Sequence, residues 1–214
     1  SLDAAFYDRL TGNYIDDSGC RVLVTRSMWR LFAFDDCSRA WRGLERDAGY
    51  RWRGGDTVID AGGKSAYRFE STDAASGDAG TGDITSLRIA REGAPLRTLS
   101  AQPRHARKQV EFVSKGLHLR GELLLPEAMK GKLSPGVVLV HGSGPQDRHG
   151  YASIMALLAE RFVRSGFAVL SYDKRGVGAS EGDLASAGFD ALGADAHAGM
   201  DYLRGHAGVD PGNV

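Results

Sequence analysis

Two glycine-rich turns, each following an apolar run, hold the residue types of this chain that are able to do chemistry. The first reads His-Gly-Ser-Gly-Pro over residues 141–145 and directly follows the apolar run 137–140. The second covers residues 173–182 and follows the apolar run 167–172. A glycine-rich turn after a buried strand leaves backbone N–H groups unpaired at the carboxyl ends of the strands. Such groups either stabilise the oxyanion of an acyl-transfer intermediate or cradle a phosphate.

The phosphate alternative fits the first turn less well. Residues 142–147 match only the first two glycines of the dinucleotide pattern G-x-G-x-x-G, because Asp147 stands in place of the third. That glycine allows close helix–strand packing, and an aspartate brings negative charge toward a pyrophosphate. Asp173 follows the next strand where a ribose-binding acid would lie, so a dinucleotide-binding βαβ unit stays open as an alternative.

The acyl-transfer alternative fits better, because His-Gly-x-Gly after a buried strand resembles the oxyanion loop of lipases and esterases. Ser143 is then the expected backbone N–H donor to the oxyanion, with Gly144 next. His141 is expected to shape the loop by hydrogen bonding to backbone within the turn, and not to act as the catalytic base. We expect His141, Gly142 and Asp147 to line the substrate crevice.

Residues 178–182 match the nucleophile pattern G-x-S-x-G, with Ser180 at its centre. That pattern requires a strand that runs straight into the serine and a helix that starts just after it. Ser180 instead lies well past the strand 167–172, inside a turn, and no helical pattern follows Gly182 and Asp183. We therefore expect Ser180 to stabilise the turn and not to act as a nucleophile.

The two turns together resemble part of a known fold family. His-Gly-Ser-Gly-Pro, followed by Asp147 and Arg148 and then by Tyr-Asp-Lys-Arg-Gly-Val-Gly-Ala-Ser at 172–180, is similar to bacterial serine esterases of the α/β-hydrolase superfamily. These are relatives of acetyl esterases and of the dienelactone-hydrolase-like and prolyl-oligopeptidase-like groups. The resemblance covers about residues 108–214 and implies hydrolysis of short-acyl carboxylic esters. A peptidase or thioesterase on the same fold, and a non-catalytic fragment, stay open as alternatives.

The resemblance also implies where the catalytic serine, histidine and acid lie. Residues 208–214 are similar to the lead-in to the fifth strand, which in relatives runs directly into Gly-x-Ser-x-Gly. The nucleophile would then follow Val214 by a handful of residues, with the acid and the histidine later. Because a half-sheet exposes an unpaired strand edge, we expect a companion C-terminal segment of the same hydrolase domain.

Alternating strands and helices are expected to position the two turns. An antiparallel pair is predicted at 110–113 and 117–126, and the runs 137–140 and 167–172 predict buried strands because they lack alternation. A helix is predicted from 154 to 163, with Gly166 as its C-cap, and another from 190 to near 205. This order predicts a parallel sheet with right-handed crossovers, the first half of an α/β-hydrolase sheet.

Residues 1–103 predict a small β-rich domain of barrel or sandwich type, because short strand-like runs alternate with turn residues. The strand candidates are 21–25, 28–34, 49–53, 57–59, 67–69 and, as the last clear one, 84–89. Residues 71–82 predict a loop, and residues 101–104 a linker. We therefore expect two domains, 1–103 and 104–214.

Charge and composition exclude some partners. Lys plus Arg and Asp plus Glu number 27 each, so no net field would attract nucleic acid or a membrane surface. No apolar run is long enough to span a bilayer. We expect no cofactor and a small ester substrate as partner; the oligomeric state, a homo-oligomer included, is left open.

Other polar residues are expected to have structural roles. Asp195 and His197 lie on different helix faces. His206 lies near a helix end, where a histidine interacts favourably with the helix dipole, and Asp210 follows it. No metal site is therefore expected, because no third ligand has suitable spacing. The run Asp147, Arg148 and His149 is expected to form a local ion pair.

The sequence leaves the state of its two cysteines, Cys20 and Cys37, open between free thiols and one disulfide across neighbouring strands. A disulfide would indicate an oxidising compartment, and therefore a periplasmic or secreted protein. Ser1 is not a natural initiator, which is consistent with the removal of a leader. The three tryptophans, Trp29, Trp41 and Trp52, are expected to pack in the β-domain core and not to form a ligand platform.

Overall fold

A computed structural model of the chain describes residues 4–27, 30–48, 50–55, 65–72, 82–127 and 132–214. The chain divides into two compact units, Ser1–Arg104 and His105–Val214. Whether each unit folds as an independent domain stays a prediction.

The first unit is a closed antiparallel barrel of eight strands, preceded by a short helix. The elements are α1 Ala4–Leu10, β1 Gly12–Ile15, β2 Arg21–Ser27, β3 Arg30–Asp35, β4 Ala40–Ala48, β5 Arg51–Gly54, β6 Ser65–Ser71, β7 Ile84–Arg91 and β8 Arg97–Ala101. Each strand pairs with its neighbour in sequence, and β1 also pairs with β8. Closure therefore removes the free strand edges, and of the two predicted architectures the barrel is the observed one.

Exposed and buried residues alternate along the barrel strands, and the buried apolar side chains fill the barrel interior. In β5 the exposed Arg51 and Arg53 alternate with the buried Trp52 and Gly54, as expected for a strand with one buried face. Trp52 packs edge to face on Phe69, with ring centroids 5.1 Å apart. The predicted core role is thus confirmed for Trp52, whereas Trp41 is half-buried and Trp29 lies outside the described residues.

The strand predictions in this unit succeed where apolar residues dominate. The runs 21–25, 67–69 and 84–89 lie within β2, β6 and β7, and the runs 28–34 and 49–53 overlap β3 and β5. The run 57–59 and most of the predicted loop 71–82 lie outside the described residues. The prediction that 84–89 is the last strand is wrong, because β8 follows it and closes the barrel. The elements α1, β1, β4 and β8 were missed, since they are short or rich in charged residues.

A disulfide joins Cys20 and Cys37. It ties the open end of the β2–β3 pair, because Cys20 immediately precedes β2 and Cys37 follows β3 by two residues. Arg97 braces the same region with two ion pairs, to Asp16 at 2.8 Å and to Asp35 at 2.5 Å. Each of these carboxylates also accepts the backbone N–H of one cysteine, at 3.0 Å in both cases.

The second unit is a four-stranded sheet with a helix on each face. Its elements are β9 Ala106–Ser114, β10 Leu117–Leu125, β11 Gly136–Leu139, a 3₁₀ turn Tyr151–Ser153, α2 Ile154–Arg164, β12 Ala168–Tyr172 and α3 Phe189–Arg204. The strand order is β11-β12-β10-β9, in which β11 and β12 are parallel and the other pairs antiparallel. No helix among the described residues is long and apolar enough to cross a membrane.

Strand β12 is buried along its whole length. It lies between β10 and β11, with α2 packed against Val169 on one face and α3 against Leu170 on the other. The predicted antiparallel pair, the parallel pairing, both helices and the buried strand at 167–172 are therefore confirmed. The run 137–140 does form a strand, but its predicted burial is wrong in part: β11 is an edge strand, with Val137 and Val138 half-buried and Val140 exposed beyond its end. The C-cap prediction is wrong by one residue: Ser165 caps α2, and Gly166 follows it at φ +94°, the left-handed position that glycine favours.

The segment after α3 runs beside the beginning of β11. Val209 forms a parallel bridge with Ser134, and the Asp210 N–H donates to the Ser134 carbonyl at 2.8 Å. The Gly136 N–H donates to the Asn213 carbonyl at 2.7 Å. Val209 is buried in the α3-side core, so this segment is fixed to the sheet.

Replacing both Cys20 and Cys37 by serine should destabilise the barrel unit. The disulfide closes a loop of 17 residues, and releasing such a loop costs about 3 kcal/mol of unfolding free energy in the chain-entropy account. Urea unfolding followed by Trp fluorescence measures the change. Wild-type protein with reductant should match the double variant, and a variant as stable as the oxidised wild type would contradict the structural role of this bond.

Candidate functional site

Both glycine-rich turns lie at one edge of the second sheet. Because β11 and β12 are parallel neighbours, the segments that follow them leave the sheet at the same end, where open α/β sheets bind ligands. The two turns contact each other there, since the Lys174 N–H donates to the Gln146 carbonyl at 3.2 Å. The arrangement brings the residues of both motifs together.

The first turn presents free backbone donors. Its residues 142–145 are exposed, and Gly144 has φ +78°, a conformation that favours glycine. In the part of the chain that the structure describes, neither the Ser143 N–H nor the Gly144 N–H has a hydrogen-bond partner. These are the two groups that the sequence predicts as oxyanion donors.

The carbonyl groups of the same turn are held by side chains. The Lys174 ammonium donates to the carbonyls of Gly142 and Gly144, at 3.0 and 3.1 Å. The Gln146 side-chain amide donates to the Ser143 carbonyl at 2.6 Å. Sequence reasoning missed both side chains; the available signal for Lys174 was a lysine two residues after the strand 167–172, within the second turn.

His141 packs against β12. Its ring meets the Tyr172 ring edge to face, with centroids 5.0 Å apart. Burial lowers the pKa of His141 and the Lys174 charge adds to this, while a hydrogen bond with the Tyr172 backbone opposes it. The ring is therefore neutral at pH 7. The prediction that His141 hydrogen-bonds to backbone within its own turn is therefore wrong, because its backbone partner is Tyr172 of the neighbouring strand β12.

Asp147 caps the end of the first turn. One carboxylate oxygen accepts the backbone N–H groups of His149 at 3.0 Å and Gly150 at 3.2 Å, and the other lies 3.5 Å from the His149 ring. The predicted ion pair within 147–149 does not include Arg148, whose partner is Asp173. The guanidinium reaches across to the second turn because a bidentate partner is available there.

Asp173 holds the two turns together. One of its oxygens accepts the Arg148 N–H at 2.8 Å and Nε at 2.9 Å, and the other accepts Arg148 Nη2 at 2.7 Å and the Ala179 N–H at 3.0 Å. Burial raises the pKa of Asp173, but the hydrogen bonds and charge of Arg148 and the Ala179 N–H outweigh it and the pKa is lowered. A ribose would have to displace these donors, so the dinucleotide alternative loses its candidate acid.

Ser180 is tied into the same turn. Its hydroxyl donates to the Asp173 carbonyl at 2.7 Å and accepts the Arg120 N–H at 2.9 Å, and the residue is 8% exposed. A nucleophilic serine needs a base to take its proton, and here the proton is committed to a backbone carbonyl. The geometry therefore gives Ser180 the turn-stabilising role that its position in the sequence predicts.

Three of the four residues weighed as metal ligands have other partners. Asp195 is 1% exposed and pairs with Arg175 through two bonds of 2.7 and 2.6 Å, which fasten the second turn to α3. The His206 ring accepts the Gly208 N–H at 3.2 Å, and Asp210 accepts the Gly212 N–H at 3.0 Å. Among the described residues no three His, Cys, Asp or Glu side chains converge.

Residues 132–211 match the family described as serine aminopeptidase, S33. The match confirms the resemblance to α/β-hydrolases that the motifs indicate. The fold is thus α/β-hydrolase-like in this part, with a β-barrel in the N-terminal region. A search of curated proteins gives no significant match.

Solved structures of hydrolases share partial similarity with the chain. The α/β-hydrolase GrgF from Penicillium sp. sh18 is 26% identical over 50% of this chain and 35% of its own, with a TM-score of 0.43. The Pyrococcus furiosus esterase Pf2001 is 24% identical over 48% and 38%, with a TM-score of 0.39. The Pyrococcus horikoshii acylaminoacyl peptidase is 16% identical over 90% and 30%, with a TM-score of 0.36. The chain therefore spans only about a third of the length of these proteins.

Replacing Asp173 by Asn should destabilise the second unit in a pH-dependent way. Removing one member of a buried pair leaves Arg148 uncompensated, which costs about 3–5 kcal/mol at pH 7. Because the pKa of Asp173 is lowered in the folded state, its contribution is present above the unfolded pKa of about 3.9 and is lost as the pH falls through the lower folded value.

Urea denaturation of wild type and Asp173→Asn between pH 3 and pH 7 measures this difference. The gap in unfolding free energy should be full at pH 7 and should shrink toward acid pH. Asp201→Asn is the matched control, since its pair with Arg204 lies on the surface, with 74% of the Asp201 side chain exposed. A gap of constant size across this range would refute the electrostatic origin of the effect.

Proposed function

We propose that the protein is a serine hydrolase that cleaves short-acyl carboxylic esters, and that this chain supplies its oxyanion-stabilising donors. The observation that carries the proposal is the pair of unpartnered N–H groups of Ser143 and Gly144, at the edge of the sheet where the two glycine-rich turns meet. The match of residues 132–211 to a serine hydrolase family supports it independently. The nucleophile, the histidine and the acid are supplied by a companion segment in this proposal.

The donors act on the charge that forms during acyl transfer. When a serine attacks the acyl carbon, the carbonyl oxygen becomes an oxyanion, and donors already directed at it stabilise the transition state more than the substrate. Ser143 N–H is the first donor in this proposal, with Gly144 N–H beside it. The second half of the oxyanion hole comes from the residue after the nucleophile.

The assignment of the nucleophile to another segment agrees with the geometry of Ser180. Its hydroxyl proton is bound to the Asp173 carbonyl, and its oxygen accepts the Arg120 N–H. His141, the nearest histidine in sequence to the proposed donors, packs on Tyr172 with a lowered pKa and serves the loop. The chain thus provides electrostatic stabilisation without the covalent chemistry.

A peptidase is the second candidate, because the matching family is described as an aminopeptidase. Esters and amides pass through the same tetrahedral intermediate, so the oxyanion donors serve both. Turnover of a p-nitrophenyl ester and a p-nitroanilide with the same acyl group separates the two activities. A ratio of kcat/KM that favours the ester supports the esterase assignment, and the reverse ratio replaces it by the peptidase.

A fluorophosphonate probe tests the division of roles. Protein isolated from its natural source, with any companion segment it carries, should be labelled outside residues 1–214. Peptide mapping by mass spectrometry locates the label, and Ser180→Ala should be labelled to the same extent as wild type. Labelling of Ser180, or no labelling of the intact protein, would overturn the proposal.

Replacing Ser143 by Pro should abolish most of the activity, because proline has no N–H to donate. Loss of one oxyanion donor costs about 10²–10³ in kcat. The comparison variant is Ser143→Ala, which removes the side chain and keeps the N–H. The two kcat values for p-nitrophenyl acetate should therefore differ by at least about 100-fold, with melting temperatures checked for both. Equal turnover by the two variants would remove Ser143 N–H from the mechanism.

A further inference from the structure

Lys174 connects the second turn to the loop of the first. It follows β12 by two residues and is buried, with 7% of its surface exposed. Its Nζ lies 3.0 Å from the Gly142 carbonyl oxygen and 3.1 Å from that of Gly144. The ammonium therefore sits behind the exposed turn that holds the proposed oxyanion donors.

The charge of this ammonium is not neutralised by a carboxylate. Its neighbours in sequence have paired elsewhere, Asp173 with Arg148 and Arg175 with Asp195. Among the described residues no carboxylate forms an ion pair with Lys174, and only carbonyl dipoles solvate it. A buried ammonium without a counter-ion is unfavourable unless its protons are satisfied, and here it donates to two carbonyl oxygens of the loop.

The two hydrogen bonds also fix the direction of the loop amides. In a trans peptide the C=O and the following N–H point in opposite directions, and the described chain contains no cis peptide. The Gly142 carbonyl points at the ammonium, so the Ser143 N–H points away from it. Gln146 holds the Ser143 carbonyl in the same manner and so directs the Gly144 N–H.

We infer that Lys174 is a positioning residue of the proposed oxyanion site, which orients the Ser143 N–H and places a positive charge behind it. The inference rests on the proposed function for its catalytic consequence. Both effects act on an oxyanion more than on a neutral carbonyl oxygen, because the transition state carries the charge. Loss of Lys174 should therefore lower kcat and leave KM nearly unchanged.

The test compares Lys174→Met, Lys174→Arg and the matched control Lys108→Met in the intact protein. Lys108 lies exposed on β9, outside both turns. With p-nitrophenyl acetate, Lys174→Met should lose about 10- to 100-fold in kcat, the size of effect expected when a site is misplaced by about 1 Å. KM should stay within about 2-fold, and Lys174→Arg should recover part of kcat because it keeps the charge. If Lys174→Met does not fold, Lys174→Gln replaces it.

A second readout is independent of activity. The Lys174 charge lowers the pKa of His141, so an NMR titration of the His141 ring should show a higher pKa in Lys174→Met than in wild type or Lys108→Met. Amide exchange of Ser143 should change in the same variant. Equal kcat in Lys174→Met and Lys108→Met, or an unchanged His141 titration, would overturn the inference. A wild type that neither hydrolyses esters nor reacts with fluorophosphonate refutes the proposed function alone, and the titration then decides the position of the charge.

Discussion

The arrangement of the two glycine-rich turns at the end of the second sheet depends on the carboxylate of Asp173. It accepts four hydrogen bonds, three from Arg148 in the first turn and one from the Ala179 N–H in the second. Arg148 in turn donates to the Gly121 carbonyl of β10 at 3.0 Å, so one ion pair joins both turns to the sheet. The pair is strong because both groups are largely buried and the guanidinium fork matches the carboxylate. The same carboxylate explains Gly178, where a Cβ would lie 2.6 Å from Asp173 Oδ2.

Three consecutive charged residues, Asp173, Lys174 and Arg175, are buried at the end of β12 and are compensated in different ways. Asp173 and Arg175 each have a bidentate partner of opposite charge, which balances the cost of removing both ions from water. Among the described residues, the Lys174 ammonium has carbonyl groups as its partners and no carboxylate. The charges of Asp173 and Arg175 are therefore each neutralised by an ion pair. The ammonium of Lys174 between them donates to the Gly142 carbonyl.

The sequence predicts those strands and helices that a local pattern of apolar residues determines. An apolar run without alternation identifies β12, and helical spacing identifies α2 and α3, because burial on both faces or on one stripe is recorded in residue order. The run 137–140 locates β11 as well, although this edge strand is buried only in part. The barrel strands β4 and β8 are not predicted by local pattern, since their polar residues contact partners that are distant in the sequence. Arg97 of β8 pairs with Asp16 and Asp35, which lie more than 60 residues away in sequence. Likewise Arg148 pairs with Asp173 and not with the adjacent Asp147, because the pairing depends on tertiary geometry and not on spacing in the sequence.

The proposed oxyanion donors are ordered by the protein and not by a substrate. The Ser143 and Gly144 N–H groups are directed through their peptide carbonyls, which accept hydrogen bonds from Lys174 and Gln146. The backbone groups of these two residues are also hydrogen-bonded to each other, from the Lys174 N–H to the Gln146 carbonyl. Donors with a fixed orientation need no reorganisation when charge develops, which is the condition under which backbone dipoles stabilise a transition state well. An exposed glycine-rich turn would otherwise sample many conformations, since glycine restricts the backbone least. The buried ammonium therefore resolves a conflict between the open, flexible backbone that ligand access requires and the fixed geometry that catalysis requires.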